Sequence, residues 1–110
     1  MYNKYKNIKT EINGKTLDSK REAKRYSELL LLEKAKEIKD LQLQVKYELQ
    51  EGYKLGAKSV RPINYIADFV YFDNRLKKWV IEDVKGMRTE IYKLKKKLFE
   101  YKYKIEIKEI

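Results

Sequence analysis

An α/β domain with the element order α-β-β-β-α-β behind a short hairpin is the fold this sequence predicts, and three observations point to it. Segments of period two alternate with segments of helical period. Of the 110 residues 43% are hydrophobic, enough to close a modest core beneath a surface to which a 40% charged content contributes. No linker, internal repeat or low-complexity tract divides the chain, so a single domain over 1–110 is expected.

Ile8 to Ile12, Asn13-Gly14 and Lys15 to Leu17 read as a hairpin, because Asn-Gly accepts the positive φ of a type I′ turn. Asp18 or Ser19 caps a helix in which Ala23, Tyr26 and Leu30 recur at helical spacing, and the pattern fails near Glu37. Leu41, Leu43, Val45, Tyr47 and Leu49 then alternate with Gln42, Gln44, Lys46, Glu48 and Gln50, which predicts a strand with one solvated face. Glu51 to Pro62, holding Gly52, Gly56 and the single proline, reads as a loop. Ile63 to Phe72 is apolar or aromatic apart from Asn64 and Asp68, as a central strand buried on both faces would be. Asp73-Asn74-Arg75 turns the chain into a partner strand, Lys78 to Lys85, which Gly86 ends. Thr89 caps a second helix. Its Ile91, Leu94, Leu98 and Tyr101 fall at i, i+3, i+7 and i+10 and are expected to face the core, leaving Lys93, Lys96 and Lys97 outward. Ile105 and Ile107 alternate with Glu106 and Lys108 in a last strand.

Composition narrows the chemistry. The chain has no Cys and no His, which excludes disulfide scaffolds, thiol nucleophiles, Cys/His zinc sites and histidine general bases. Catalysis would have to use carboxylates, Lys, Tyr or an oxygen-bound cation. No apolar run approaches the roughly 20 residues of a membrane span, and MYNKYKNIKT lacks a signal-peptide core, so a cytoplasmic protein without a membrane partner is expected. The net charge of +10 is concentrated: residues 1–25 hold 8 basic and 3 acidic side chains, and residues 75–104 hold 11 and 4. Two basic segments around a neutral middle suit a polyanion whose counterions are displaced by Lys and Arg, and nucleic acid is the leading partner. A solvated lysine-rich surface would have the same composition.

Asp68 carries the sharpest signal, because a carboxylate inside a buried strand costs several kcal/mol unless a cation or donors compensate it. On the next strand Asp83 and Lys85 stand two apart and leave the same face. Adjacent antiparallel strands can therefore present Asp68, Asp83 and Lys85 to one point. Two carboxylates with further oxygens are how proteins hold Mg²⁺, and an adjacent lysine can orient a water or neutralise a phosphate, which is the chemistry of phosphodiester hydrolysis. The purely structural alternative has Asp68 accepting backbone hydrogen bonds and Asp83 paired with Lys85. Glu82 is a competing carboxylate, but alternation points it away from Lys85. Gln44 lies on the polar face of the first long strand, beside the site or simply solvated. Tyr92, interleaved with Lys93, Lys95 and Lys96, fits base stacking or helix packing, and helix packing is the expected role.

Taken together, Asp68, the hairpin, Asp83-Val84-Lys85-Gly86 and the element order resemble a PD-(D/E)XK nuclease. More narrowly, Asn3-Lys4-Tyr5, Asp18-Ser19-Lys20-Arg21-Glu22-Ala23, Ile66-Ala67-Asp68-Phe69 and Glu82-Asp83-Val84-Lys85-Gly86 are similar to a family of small phage proteins placed in that superfamily. Ala67 stands where the superfamily's name has proline. The resemblance implies a restriction-endonuclease-like αβββαβ core with a mixed central sheet flanked by helices. It also implies that Asp68 and Asp83 are metal ligands, that Lys85 is the catalytic lysine, and that Glu22 is an additional helix carboxylate at the metal. Glu22 has a second reading, since Ser19-x-x-Glu22 is also a capping box.

The expected function is a Mg²⁺- or Mn²⁺-dependent DNA endonuclease of phage DNA metabolism. Branched DNA such as a Holliday junction is the favoured substrate, because so short a chain leaves little room to read sequence and basic flanks can grip more than one duplex. Lys20, Lys93, Lys96 and Lys97 are the candidate DNA contacts. Coordinated cutting of two strands would need two sites, hence a homodimer. The alternative is a non-catalytic nucleic-acid-binding or regulatory protein in which the carboxylates are structural.

Overall fold

The computed structural model describes residues 10–12, 15–17, 19–84 and 88–110. β1 (Thr10–Ile12) and β2 (Lys15–Leu17) form the leading antiparallel hairpin, with Thr10 opposite Leu17. Its expected turn residues, Asn13 and Gly14, lie outside the described residues.

Helix α1 (Lys20–Lys34) starts at Ser19, whose Oγ accepts the Glu22 N–H at 3.1 Å. The alternative cap, Asp18, is outside the described residues. The helix stops where Lys36 takes a left-handed φ of 64°: the Lys36 N–H donates to the Glu33 carbonyl and the Glu37 N–H to the Leu32 carbonyl, each at 3.0 Å. That pair of bonds is a Schellman motif, here without the usual glycine. Ala23, Tyr26 and Leu29 form the buried stripe. Leu29, not the expected Leu30, is the fully buried leucine.

β3 (Ile38–Gln50) follows at once and begins three residues earlier than its alternation suggests. Asp40, with a φ of 56°, stands where the register between Lys39 and Gln42 is interrupted, and the displaced ladder hides the strand's first residues from a period-two reading. The segment expected as a loop contains a second hairpin, β4 (Tyr53–Leu55) with β5 (Lys58–Val60). Gly56, at φ +60°, supplies the turn, and Ala57 keeps a negative φ, as a type II′ turn requires. The hairpin's residues are nearly all exposed and its strands are three residues each, too short for a period-two pattern to stand out.

β6 (Ile63–Asp73) and β7 (Lys78–Asp83) complete the antiparallel part of a four-stranded sheet of order β3-β6-β7-β8. Helix α2 (Glu90–Tyr103) crosses back so that β8 (Ile107–Glu109) lies parallel to β7, with Ile107 opposite Ile81. The sheet is thus mixed and carries two helices. One hydrophobic cluster joins α1 to Ile38, Phe69 and Tyr71, and another joins α2 and β8 to Tyr65, Ala67, Val70 and Ile81. Along β3, Leu41 and Leu43 pack with the first cluster while Val45, Tyr47 and Leu49 pack with the second. The hand-over falls at Gln44, another left-handed residue with a φ of 54°. Among the described residues no helix is long and apolar enough to cross a membrane.

Helix α2 is rotated from its expected setting. Thr89 caps it as predicted, its Oγ1 accepting the Tyr92 N–H at 3.0 Å. Tyr92 and Phe99, however, are the residues it buries, while Ile91, Leu94 and Tyr101 are 69%, 58% and 76% exposed and Leu98 also reaches solvent. Two stripes in this helix have helical spacing, one aliphatic and one aromatic, and the sheet decides between them. Phe99 sits against the rings of Tyr47, Tyr65 and Tyr103 at centroid distances of 5.0, 5.4 and 4.9 Å, a pocket that aliphatic side chains would fill poorly. The Tyr103 hydroxyl and the Lys102 ammonium both donate to the Glu48 carbonyl at 2.8 Å, fastening the helix to β3. Phe99→Ala should therefore cost about 3–5 kcal/mol, whereas Ile91→Gln should stay within about 0.5 kcal/mol. Urea melts check both, and equal effects would contradict this orientation of the helix.

Candidate functional site

The register of β6 and β7 builds the site. Phe69 lies opposite Glu82 and Val70 opposite Ile81, so one step further along the hairpin Asp68 comes level with Asp83 on a shared face. The ladder is finished by a side chain, since the Val84 N–H donates to Asp68 Oδ2 at 2.8 Å. Gln44, from the opposite neighbouring strand, brings Nε2 to 3.4 Å from Asp68 Oδ1. The left-handed turn of β3 therefore sits beside the carboxylate.

Asp68 is pushed up to about 7. Burial is the largest cause, the negative charges of Asp83 and Glu22 add to it, and the Val84 N–H works against both. The expected trio is thereby electrostatically joined: Glu22 from the first turn of α1, Asp68 from β6 and Asp83 from β7. Glu22 and Asp83 are buried, and Asp83 accepts a hydrogen bond from the Tyr65 hydroxyl. Burial and that hydrogen bond to Asp83 drive the Tyr65 hydroxyl far above its ordinary range, so it stays protonated and donates to Asp83. The capping-box reading of Ser19 and Glu22 holds through the Glu22 backbone N–H, and the Glu22 charge also acts on Asp68. Among the described residues no three carboxylates close around a single point. Lys85, the expected catalytic lysine, lies outside the described residues.

Glu82 is on the other face and has a different task. It is fully buried and receives Arg25 through two bonds, Nε to Oε1 at 2.8 Å and Nη2 to Oε2 at 2.6 Å, with the Tyr71 hydroxyl donating to Oε2 as well. The hydrogen bonds to Glu82 outweigh burial and hold the Arg25 guanidinium above its ordinary range. This bidentate pair ties α1 to β7 directly behind the Asp68/Asp83 face. Alternation along β7 thus places Glu82 away from the Asp68/Asp83 face, as expected.

The candidate DNA contacts divide. Lys20 and Lys97 are exposed, as expected. Lys93 is exposed but lies 3.3 Å from Glu90, and Lys96 is partly buried and paired with Glu100 at 3.0 Å. The rotation of α2 corrects the idea that these three lysines occupy the face opposite an inward aliphatic stripe: Leu94 and Leu98 are at the surface with Lys93 and Lys97, and Lys96 is drawn toward the sheet side. Tyr92 serves packing, as expected, with its hydroxyl donating to Glu109 Oε2 at 2.7 Å. Arg88 pairs with the same Glu109 at 3.0 Å. The partnerships of Tyr65, Tyr71, Arg25 and Glu109 escaped the sequence reading, because each joins residues far apart in the chain and no local spacing marks them.

The family model described as "Protein of unknown function (DUF1064)" matches residues 2–109, nearly the whole chain. No curated protein and no solved structure matches it.

Proposed function

The chain belongs to the DUF1064 family, and we propose that it is a divalent-metal-dependent DNA endonuclease of the PD-(D/E)XK type. One observation carries the reading: two carboxylates are set level on adjacent buried strands, with a third close enough to raise Asp68 further. Like charges held together in a low-dielectric place suit a hard cation, and an all-oxygen donor set suits Mg²⁺ or Mn²⁺. Asp68 and Asp83 would hold the ion, with Glu22 at its margin. Bound there, it would supply Lewis acidity and a water of lowered pKa for attack on a phosphodiester.

The chain's own residues supply the rest. The Val84 N–H fixes one oxygen of Asp68, Tyr65 fixes one oxygen of Asp83, and Gln44 approaches Asp68 from β3, so both carboxylates are held in place before substrate arrives. Lys85, two residues beyond Asp83, is assigned to orient the nucleophile and neutralise the phosphate. The element order and the parallel β7–β8 pairing support the restriction-endonuclease-like reading of the fold. Branched DNA is the proposed substrate, and cutting both strands calls for two copies of the chain. The Asp68–Val84 hydrogen bond also suits the rival reading, a nucleic-acid-binding protein with structural carboxylates.

Melting curves separate the two. A metal site that exists only in the folded state raises the melting temperature with Mn²⁺ concentration. Asp68→Asn should abolish that response. Without metal the same variant should be more stable than wild type. The wild-type Asp68, raised in the folded state, loses stability as pH climbs from the unfolded carboxyl's value near 4 to about 7. The Asn side chain keeps an acceptor for Val84 and carries no charge. The advantage of Asp68→Asn should thus be small at pH 4 and full above pH 7. A wild-type melting curve indifferent to millimolar Mn²⁺ would refute the metal assignment.

A further inference from the structure

At the end of β7 remote from Asp83 there is a groove of about 730 Å³, lined by Trp79 and Phe72 and by Lys77, Lys78, Lys104 and Lys108. Its volume is that of a small-molecule site, and its walls combine aromatic surface with positive charge. Trp79 is 43% exposed although Phe72 braces it edge-to-face at 5.5 Å. A half-exposed, braced indole is a ready stacking surface. The acidic residues on the wall are Asp73 and Glu106, and Asp73 is already engaged by the N–H groups of Arg75 and Leu76 at 2.8 and 3.1 Å. The free balance of the groove is therefore basic.

The groove's place in the fold matters as much as its lining. Trp79 leaves the same face of β7 as Ile81 and Asp83. Helix α2 spans the distance between groove and carboxylates: its first-turn Tyr92 feels the Asp83 charge, and Lys104, its left-handed C-cap, lines the groove. Along β7 itself Trp79 and Asp83 are four residues apart, about 13 Å, roughly four nucleotide steps at duplex rise.

We propose that this groove takes an unstacked base of a single-stranded nucleic-acid segment on Trp79, with the flanking phosphates on Lys104 and Lys108. The inference rests on the nuclease reading for its place on a substrate path, but the groove's binding is measured without hydrolysis. It defines a substrate class: duplex DNA bearing an unpaired strand about four nucleotides from the cutting site.

Trp79 is the only tryptophan in the chain, so its fluorescence reports on the groove alone. Titration of the full chain with oligo(dT) in chelator should give saturable quenching. With binding read by the anisotropy of a labelled oligo(dT), since the variants lack the fluorophore, Trp79→Ala should weaken binding roughly 5- to 150-fold, the effect of losing one stacked base. Trp79→Tyr, which keeps a ring, should stay within a few fold and guards against a folding defect. Lys104→Gln with Lys108→Gln should flatten the salt dependence by about 0.7 per lost contact on a single strand. Blunt duplex should not quench. The proposal is overturned if oligo(dT) binds without quenching, if blunt duplex quenches equally, or if free thymidine monophosphate quenches at the same concentration as the oligonucleotide. A chain that shows the quenching and never cuts DNA would keep the groove and lose the nuclease assignment, and one that cuts without quenching would do the reverse.

Discussion

Asp83→Asn is expected to lower phosphodiester cleavage at least about a hundredfold while leaving DNA binding within a few fold of wild type. Asparagine keeps the shape of the side chain and an oxygen for the Tyr65 hydroxyl, so the buried hydrogen bond survives. What it removes is one of the two charges that would hold the divalent ion. That charge repels phosphate in the absence of metal, so its loss cannot weaken binding through electrostatics. Cleavage rates at saturating metal and gel-shift affinities in chelator, measured on one preparation, separate the effects. Binding and cutting lost together would indicate a damaged fold, which a melting curve would reveal. Cutting at the wild-type rate would remove Asp83 from the mechanism.

Arg25→Leu is the substitution expected to cost the most stability. Glu82 has no exposed surface, and Arg25 supplies its cation through two short bonds. Removing one partner of a buried pair leaves an uncompensated charge, at about 3–5 kcal/mol, a large part of the stability of a small domain. At roughly 4–8 °C per kcal/mol the melting temperature should fall by well over 10 °C. The double variant Arg25→Leu/Glu82→Gln should regain much of the loss, because the residual neutral amide can still meet the Tyr71 hydroxyl. The two substitutions would then be strongly non-additive. A single Arg25→Leu that melts within a degree or two of wild type would show that the pair contributes little.

The parts of this molecule legible in its sequence are those governed by local periodicity. Ser19 and Thr89 cap their helices as their positions predict, and β3 keeps its alternation of apolar and polar residues over most of its length. Alternation also sends Asp68 and Asp83 to one face and Glu82 to the other, because antiparallel register follows once the hairpin between them closes. Where two local patterns compete, sequence alone cannot choose. Helix α2 offers an aliphatic and an aromatic stripe, and the aromatic one is buried because Tyr47 and Tyr65 wait on the sheet. The left-handed residues Asp40 and Gln44 are invisible to propensity, since neither is glycine, yet they set the bulge and the approach of Gln44 to Asp68. Arg25, on α1, meets Glu82 from 57 residues away, a contact that no spacing rule encodes.

Incubation of supercoiled and branched DNA with the wild-type chain, in Mg²⁺ or Mn²⁺ and again in chelator, tests metal-dependent hydrolysis at the Asp68/Asp83 site most directly. Incision in either metal, abolished by chelator and restored when metal is returned, is the expected result. DNA that stays intact in both metals although the chain binds it, or incision that continues in chelator, would contradict it.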